Sequence, residues 1–446
     1  MVPKAPTGLS ATWSSADRAA GGLTVDLLLY GLSAVFATVT ALTSTLAPHR
    51  AWGAVATVGY ATAAVAVTAQ MVARWRGSAS GLTGIGARAA ITVFAWTASA
   101  LLPMVVQCVQ RAAGRVDRAQ EEVIVVEQGG LRLLEHGSPY LGRDAIAALP
   151  AGEQLLGYLP YQPGMALFGL PRATVGVAWW TDARVWFGLA TVAALVAAVA
   201  VLRRSPVARP ETAAHDRAVL RAVQLATVLP VCALTLATGG DDIPVLAFCL
   251  LALALLAGGR PGAAGLAVGL AAALKLFAWP VALVLLGYAG TRGRRAAIRF
   301  GVGAVGLPIA ALLPAQLVDS GALLENVVHF PLGHGLVHSP AQSPFPGYLI
   351  AATLPGGRII AAALLVGAGL AIAVRLARRP PRTPAEAALV CGYGLLAAIA
   401  LMPSTRFGYL LYPVAFLAWA AALRMAVPAP AVEENHRSRP AAAATS

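Results

Sequence analysis

From about residue 27 to residue 423 the chain repeats one pattern, an apolar run closed by a short polar or glycine-rich break. Many runs approach the ~20 residues that a helix needs to cross ~30 Å of hydrocarbon. In lipid every backbone polar group must be satisfied within the protein, and runs of this length achieve that as helices rather than as barrel strands. Hydrophobic residues make up 58% of the 446 and charged residues only 12%, with a mean hydropathy of +0.72, well outside the soluble globular range. The fold class that follows is an all-α polytopic membrane protein.

Spans are expected near 27–46, 52–73, 89–110, 185–202, 218–237, 243–257, 263–274, 278–288, 300–317, 358–374, 385–402 and 409–423, about twelve in all. The domain plan is a retained polar tail at 1–22, a membrane domain at 23–425 and a disordered tail at 426–446. Two loops are long, 111–184 and 318–357, and long ordered loops usually carry function.

The count turns on "GAAGLAVGLAAALKLFAWPVALVLLGYAG", residues 262–290, which reads as one long helix or as two short ones reversing at Lys275. A reversal puts the clusters Arg203/Arg204/Arg209, Arg292/Arg294/Arg295/Arg299 and Arg375/Arg378/Arg379/Arg382 on one side, with both termini. The excess of basic residues in cytoplasmic loops selects this reading. The outer side then holds most of the acidic residues, among them Glu122, Glu127, Asp241, Asp242, Asp319 and Glu325. The net charge of +14 is therefore a matter of membrane orientation, and no nucleic-acid partner is expected.

Within the first long loop, "EVIVVEQGGLRLLEHGSPY" (122–140) has apolar residues at helical spacing with Glu122, Glu127, Arg132 and Glu135 between them. It reads as a helix along the membrane surface, stopped at Gly137, Ser138 and Pro139. "GYLPYQPGMALFGLP" (157–171) follows as irregular chain. Glu122 and Glu127 are candidate bases, or else the wet face of that helix. Lys275, an ionisable group between apolar helices, is a functional candidate or a snorkelling lysine. Arg406, beside Tyr409 and Tyr412, is a phosphate ligand or a headgroup anchor. His329, His334 and His338 lie in a Pro/Gly-rich loop that fits a phosphate role or plain loop structure better than a metal site. Asp241 and Asp242, in "TGGDDIP", could meet acceptor hydroxyls or serve the turn alone. Cys108, Cys232, Cys249 and Cys391 fall within spans and read as packing residues.

The first of these stretches, followed by "YLPYQP", resembles the first outer loop of glycosyltransferase family 87, membrane enzymes of the GT-C superfamily that use polyprenyl-phosphate sugars. "GGRPGAAGLAVGLAAALKLFAWP" (258–280) is similar to the family's glycine-rich span ending in a lysine and a nearby proline. Together the matches span about a third of the chain, from 122 to 280, in consistent order. The resemblance implies a GT-C-like bundle and a catalytic acid at the head of the first loop, by position Glu122, with Glu127 in reserve and Glu121 also in register. The family usually has aspartate there. It often has an aromatic residue and a histidine near the last outer turn, where this chain has "MPSTRFGYLLYP" (402–413) with Arg406. An extra helical pair ahead of the loop is a second departure.

The expected reaction is transfer of a hexose such as mannose from a polyprenyl-phosphate sugar to a lipid or cell-envelope glycan acceptor. It would occur on the outer face of a bacterial plasma membrane, with both termini cytoplasmic. A carboxylate must take the acceptor's proton and fixed cations must meet the departing phosphate. Lys275, Arg406, His329 and His334 are the candidate cations, and Tyr140, Asp241 and Asp242 the further substrate contacts. No cofactor is expected beyond the lipid-linked sugar as co-substrate, no metal ligand set is read, and a divalent metal requirement stays open. The rival from another class is a transporter or lipid flippase, which would show an inverted repeat and charges at mid-depth. A scaffold without catalysis would leave Glu122 in open water.

Overall fold

The structure is a computed structural model that describes residues 19–77, 80–204 and 212–424. The tails expected at 1–22 and 426–446 fall outside these residues, apart from a short turn at Ala19–Gly22. Among the described residues the chain is helical, and the one β-type pairing is an isolated bridge between Gln342 and Thr405.

The N-terminal part forms α1 (Leu23–Thr43), α2 (Ala47–Trp75) and α3 (Ile85–Ala112), the last with a π turn at Thr97–Leu101. In the first long loop lies α4 (Glu121–His136), followed by α5 (Ala183–Arg203). Next come α6 (Ala213–Thr227) and α7 (Pro230–Thr238), bent by 44° where Pro230 opens the second helix. Then follow α8 (Asp242–Ala257), α9 (Pro261–Leu274), α10 (Ala278–Thr291) and α11 (Arg294–Val318). After the second long loop the chain closes with α12 (Gly357–Arg378), α13 (Pro384–Leu401) and α14 (Phe407–Arg424).

Eight of these are long and apolar enough to cross a membrane: α1, α2, α3, α5, α11, α12, α13 and α14. The bent pair α6–α7 makes nine if it is counted as one span. Eleven of the twelve expected spans are each a helix and the one at 218–237 is the bent pair α6–α7, but the count of twelve crossings is not met by length. With 16, 14 and 14 residues, α8, α9 and α10 rise only about 21–24 Å, short of the ~30 Å of hydrocarbon. For the first of them the surroundings supply the reason. α8 is buried on nearly every side, so protein rather than lipid sets its length.

The chain does reverse at Lys275. Gly265 and Gly269 of α9 lie against Phe300 and Gly303 of α11, so these two helices run parallel. The turn from α10 into α11 takes only two residues, which makes α10 antiparallel to both. A Cβ on Gly265 or Gly269 would strike the α11 backbone, and this close approach is the work of the glycine-rich run. Arg260, Arg292, Arg294, Arg295 and Arg299 thus share the end opposite Lys275. The loop between α12 and α13 joins them, since Thr291 Oγ1 donates to the Pro381 carbonyl at 3.5 Å.

Helix α4 forms as expected and stops at Gly137, whose φ of +73° lies in the left-handed region. It is packed into protein on one face, with Val123, Val126, Gly129 and Gly130 buried. Gly130 touches the backbone of Gly169, and this contact seats the turn Pro163–Gly169 on the helix.

Candidate functional site

Four breaks between helices meet at the end of the bundle that carries Lys275. At the α7–α8 turn, Gly239 and Gly240 precede Asp241 and Asp242, and Gly240 holds a φ of +89° that favours glycine. Between α9 and α10, Lys275 adopts an extended conformation, and its side chain is buried. Its Nζ donates to Asp241 Oδ2 at 2.7 Å and to Asp242 Oδ1 at 2.6 Å. The hydroxyl of Tyr412, at the head of α14, donates to the same Asp242 oxygen at 2.7 Å. The ammonium also faces the rings of Tyr161 and Tyr409, 5.0 and 5.4 Å from their centroids.

Glu122, in the first turn of α4, is ion-paired with Arg406 from the turn before α14. The carboxylate is only 11% exposed and the guanidinium 32%, so Arg406 forms the rim and Glu122 the wall behind it. The two ionic groups adjoin. A Cβ placed on Gly239 would lie 3.8 Å from Glu122 Oε2, and Asp241 is two residues further on. On the other side, the Tyr409 amide donates to the Arg406 carbonyl at 3.1 Å. Three carboxylates thus stand against two cations in one patch.

Of the residues singled out in the sequence, Glu122, Lys275, Arg406, Asp241 and Asp242 are brought together. Glu127 is not among them. It lies on another side of α4, where Arg111 grips both its oxygens at 2.7 Å and Arg172 reaches it at 3.1 Å. Asp182 shares Arg111 and is also held by Arg184. Burial would raise the Asp182 carboxyl, but the two guanidiniums outweigh it and hold the group well below the usual carboxylate range. Glu121 is exposed. Tyr140 stands one step behind the patch, its hydroxyl donating to the Tyr161 carbonyl at 2.7 Å. Burial pushes the Tyr140 phenol up.

His329 and His334 belong to a separate cluster. Glu325 accepts from Arg143 at 2.9 Å and from Tyr158 at 2.8 Å, and pairs with His329 Nδ1 at 3.2 Å. The His334 carbonyl accepts from Arg143 at 3.0 Å. Tyr158 stacks on Phe330 at 4.2 Å, and Asn326 bonds to the Leu159 amide and the Leu141 carbonyl. This cluster clasps the two long loops together. The stretch from Tyr158 to Tyr161 connects it to the ionic patch, about 10 Å along an extended chain.

Several contributors were not singled out. Tyr161 lies within the quoted "YLPYQP", but its contact with Lys275 needs the fold. Gln120 caps the approach to α4 and lies against Thr238, donating its amide to the Thr238 carbonyl at 2.9 Å. His49, from the first turn of α2, pairs with the Gln120 side chain at 3.0 Å. Among the described residues no group of three or more His, Cys, Asp or Glu converges as a metal-ligand set.

The fold and the patch define a class: a multi-pass helical membrane protein with a nearly buried acid–cation site at one end of its bundle. The family model for glycosyltransferase family 87 matches residues 158–404, and the chain belongs to that family. The matched stretch contains Tyr161, Asp241, Asp242 and Lys275, while Glu122 and Arg406 lie outside it. Among solved structures, the chain is similar to ArnT from Cupriavidus metallidurans bound to undecaprenyl phosphate, with a TM-score of 0.46 and 17% identity. The apo state of that protein gives 0.42 and 17%. The alignments cover 74% and 68% of this chain, which spans 59% and 54% of the length of those structures. No curated protein matches the chain.

Proposed function

We propose that this protein is a membrane glycosyltransferase that moves a sugar from a polyprenyl-phosphate donor to a hydroxyl acceptor at the outer boundary of the bilayer. The observation that carries the reading is the convergence of Glu122 and Arg406 beside the Lys275–Asp241–Asp242 group. Family membership supports glycosyl transfer. The bound lipid named for the Cupriavidus metallidurans protein, undecaprenyl phosphate, is of the donor's class. A hexose such as mannose, and a lipid or cell-envelope glycan as acceptor, complete the proposal.

The chemistry places each group. Glu122 takes the proton of the acceptor hydroxyl while that oxygen attacks the anomeric carbon, and the bond from this carbon to the phosphate oxygen breaks. The polyprenyl phosphate leaves with the electron pair and its added negative charge. Arg406 is the more exposed cation and meets that charge directly, and its transfer from Glu122 to the phosphate leaves the carboxylate free to act as base. Lys275, its charge matched by Asp241 and Asp242, forms the floor and fixes the turn that carries the two aspartates. A lipid-borne donor stays in the membrane, so no nucleotide-binding glycine loop is required.

Purified full-length protein in lipid nanodiscs, given labelled sugar on a panel of polyprenyl-phosphate donors, tests this. Wild type should label a lipid or glycan acceptor. Glu122→Gln should lower kcat by about 10²–10⁴-fold with KM little changed. Full transfer by the variant removes Glu122 from the mechanism, and no transfer from any donor sinks the proposed activity.

A further inference from the structure

The hairpin of α1 and α2 precedes the family match by more than eighty residues, yet it reaches the site. α2 begins at the same end of the bundle as Glu122, and His49 in its first turn pairs with the Gln120 side chain. Gln120 is the residue before α4, and three contacts fix it. Its amide donates to the Thr238 carbonyl, its side-chain oxygen accepts from the Thr238 hydroxyl at 2.9 Å, and its side-chain nitrogen meets His49 at 3.0 Å. Thr238 ends α7 and leads directly into Gly239, Gly240, Asp241 and Asp242. One glutamine side chain therefore ties the start of α4, which carries Glu122, to the turn that carries the two aspartates, and His49 holds that glutamine from the third side.

The same helix braces the site's support elsewhere. The Tyr60 hydroxyl donates to the Val228 carbonyl, at the bend between α6 and α7. The hairpin's other end is fixed by Asp26 of α1, which accepts from Arg88 of α3 at 2.6 Å and from Arg221 of α6 at 2.9 Å. A hairpin anchored at both ends and at the bend can set where α4 begins relative to α7.

We propose that this hairpin is a working part of the site, with His49 as a positioning residue that acts through Gln120 to hold Glu122 in register with the Asp241 turn. The catalytic readout rests on the proposed transferase activity. The structural readout does not.

The test uses full-length protein in nanodiscs with His49→Ala, Gln120→Ala, the double variant and His49→Gln, which restores a polar side chain of similar reach. The expected result is a kcat lowered about tenfold to a hundredfold in His49→Ala with KM within about twofold. The double variant should be no worse than Gln120→Ala, because both remove the same linkage. His49→Gln should recover most of the rate. Amide hydrogen exchange over residues 121–126 should be faster in His49→Ala than in wild type and return towards wild type in His49→Gln. Unchanged kcat, additive losses, or a rate that tracks only the amount of folded protein in all variants overturns the proposal. Where wild type transfers no sugar at all, the activity reading fails by itself, and the exchange data alone decide: unchanged exchange in His49→Ala overturns the linkage.

Discussion

Lys275 shows how a residue can be legible in sequence while its setting is not. A single lysine in a 29-residue apolar stretch is conspicuous, as are paired aspartates after two glycines, because charge is rare in this chain. That they would meet is not written in either stretch, since it depends on two helix breaks arriving at the same point. For the same reason Tyr161, Gln120 and His49 were invisible: uncharged or half-buried groups gain meaning only from their neighbours. Glu122 and Glu127 look alike by spacing; the family resemblance puts Glu122 first, and in the structure Arg111 and Arg172 set Glu127 apart. The Lys275 group invites a stability test. Lys275→Met leaves two buried carboxylates without their cation, at a cost of about 3–5 kcal/mol, the range for breaking a buried pair from one side. Adding Asp241→Asn and Asp242→Asn together removes the stranded charges and should recover most of that loss. Thermal unfolding in detergent reads both, and a triple variant no more stable than Lys275→Met would show that charge pairing is not what Lys275 contributes.

Among the elements, the long loops behave as a joined pair rather than as two independent segments. The helix stop at Gly137 was legible because glycine followed by Ser-Pro has few other uses. The clasp through Glu325 was not, since it brings together residues more than 160 apart in sequence. Its charge state gives it a pH dependence. Burial alone would raise the Glu325 carboxyl, but hydrogen bonds from Tyr158, His329 and Arg143 outweigh it and hold the group below its ordinary value. A carboxyl depressed in the folded state contributes stability that is fully present above its unfolded pKa of about 4.3 and is lost as pH falls through the lower folded value. The clasp should therefore stay closed at pH 5 and open only on acidification below that unfolded value. Hydrogen exchange across residues 141–147 and 326–336 measures this. Glu325→Gln should show at neutral pH the faster exchange that wild type shows only in acid, and identical exchange in the two proteins at pH 7 would rule out the clasp as their common restraint.

At the scale of the whole molecule, two kinds of chemistry occupy opposite ends. The acid–cation patch sits where α4, α7, α9 and α14 meet. The other end gathers Arg260, the arginines around the α10–α11 turn, and Arg375, Arg378, Arg379 and Arg382. The bias of basic residues was readable from sequence and correctly required a reversal at Lys275. The number of crossings was not, because a hydropathy pattern marks an apolar helix without saying whether lipid or protein surrounds it. α8 is apolar because it is enclosed, whereas α9 and α10 are buried on one side and expose Leu266, Leu270 and Leu283 on the other. If the arginine-rich end is cytoplasmic, as the positive-inside tendency requires, then the patch faces outward, where a lipid-linked donor would have to present its sugar. Single cysteines introduced at exposed Glu135 and Asp144, near the patch end, and at exposed Arg295, at the other, separate the cases. All four native cysteines are buried, which keeps the background low. A membrane-impermeant maleimide applied to intact cells should label Glu135→Cys and Asp144→Cys directly and Arg295→Cys only after permeabilisation. Labelling of Arg295→Cys from outside, with the other two protected, would place the patch in the cytoplasm and remove the outer-face assignment along with the donor geometry built on it.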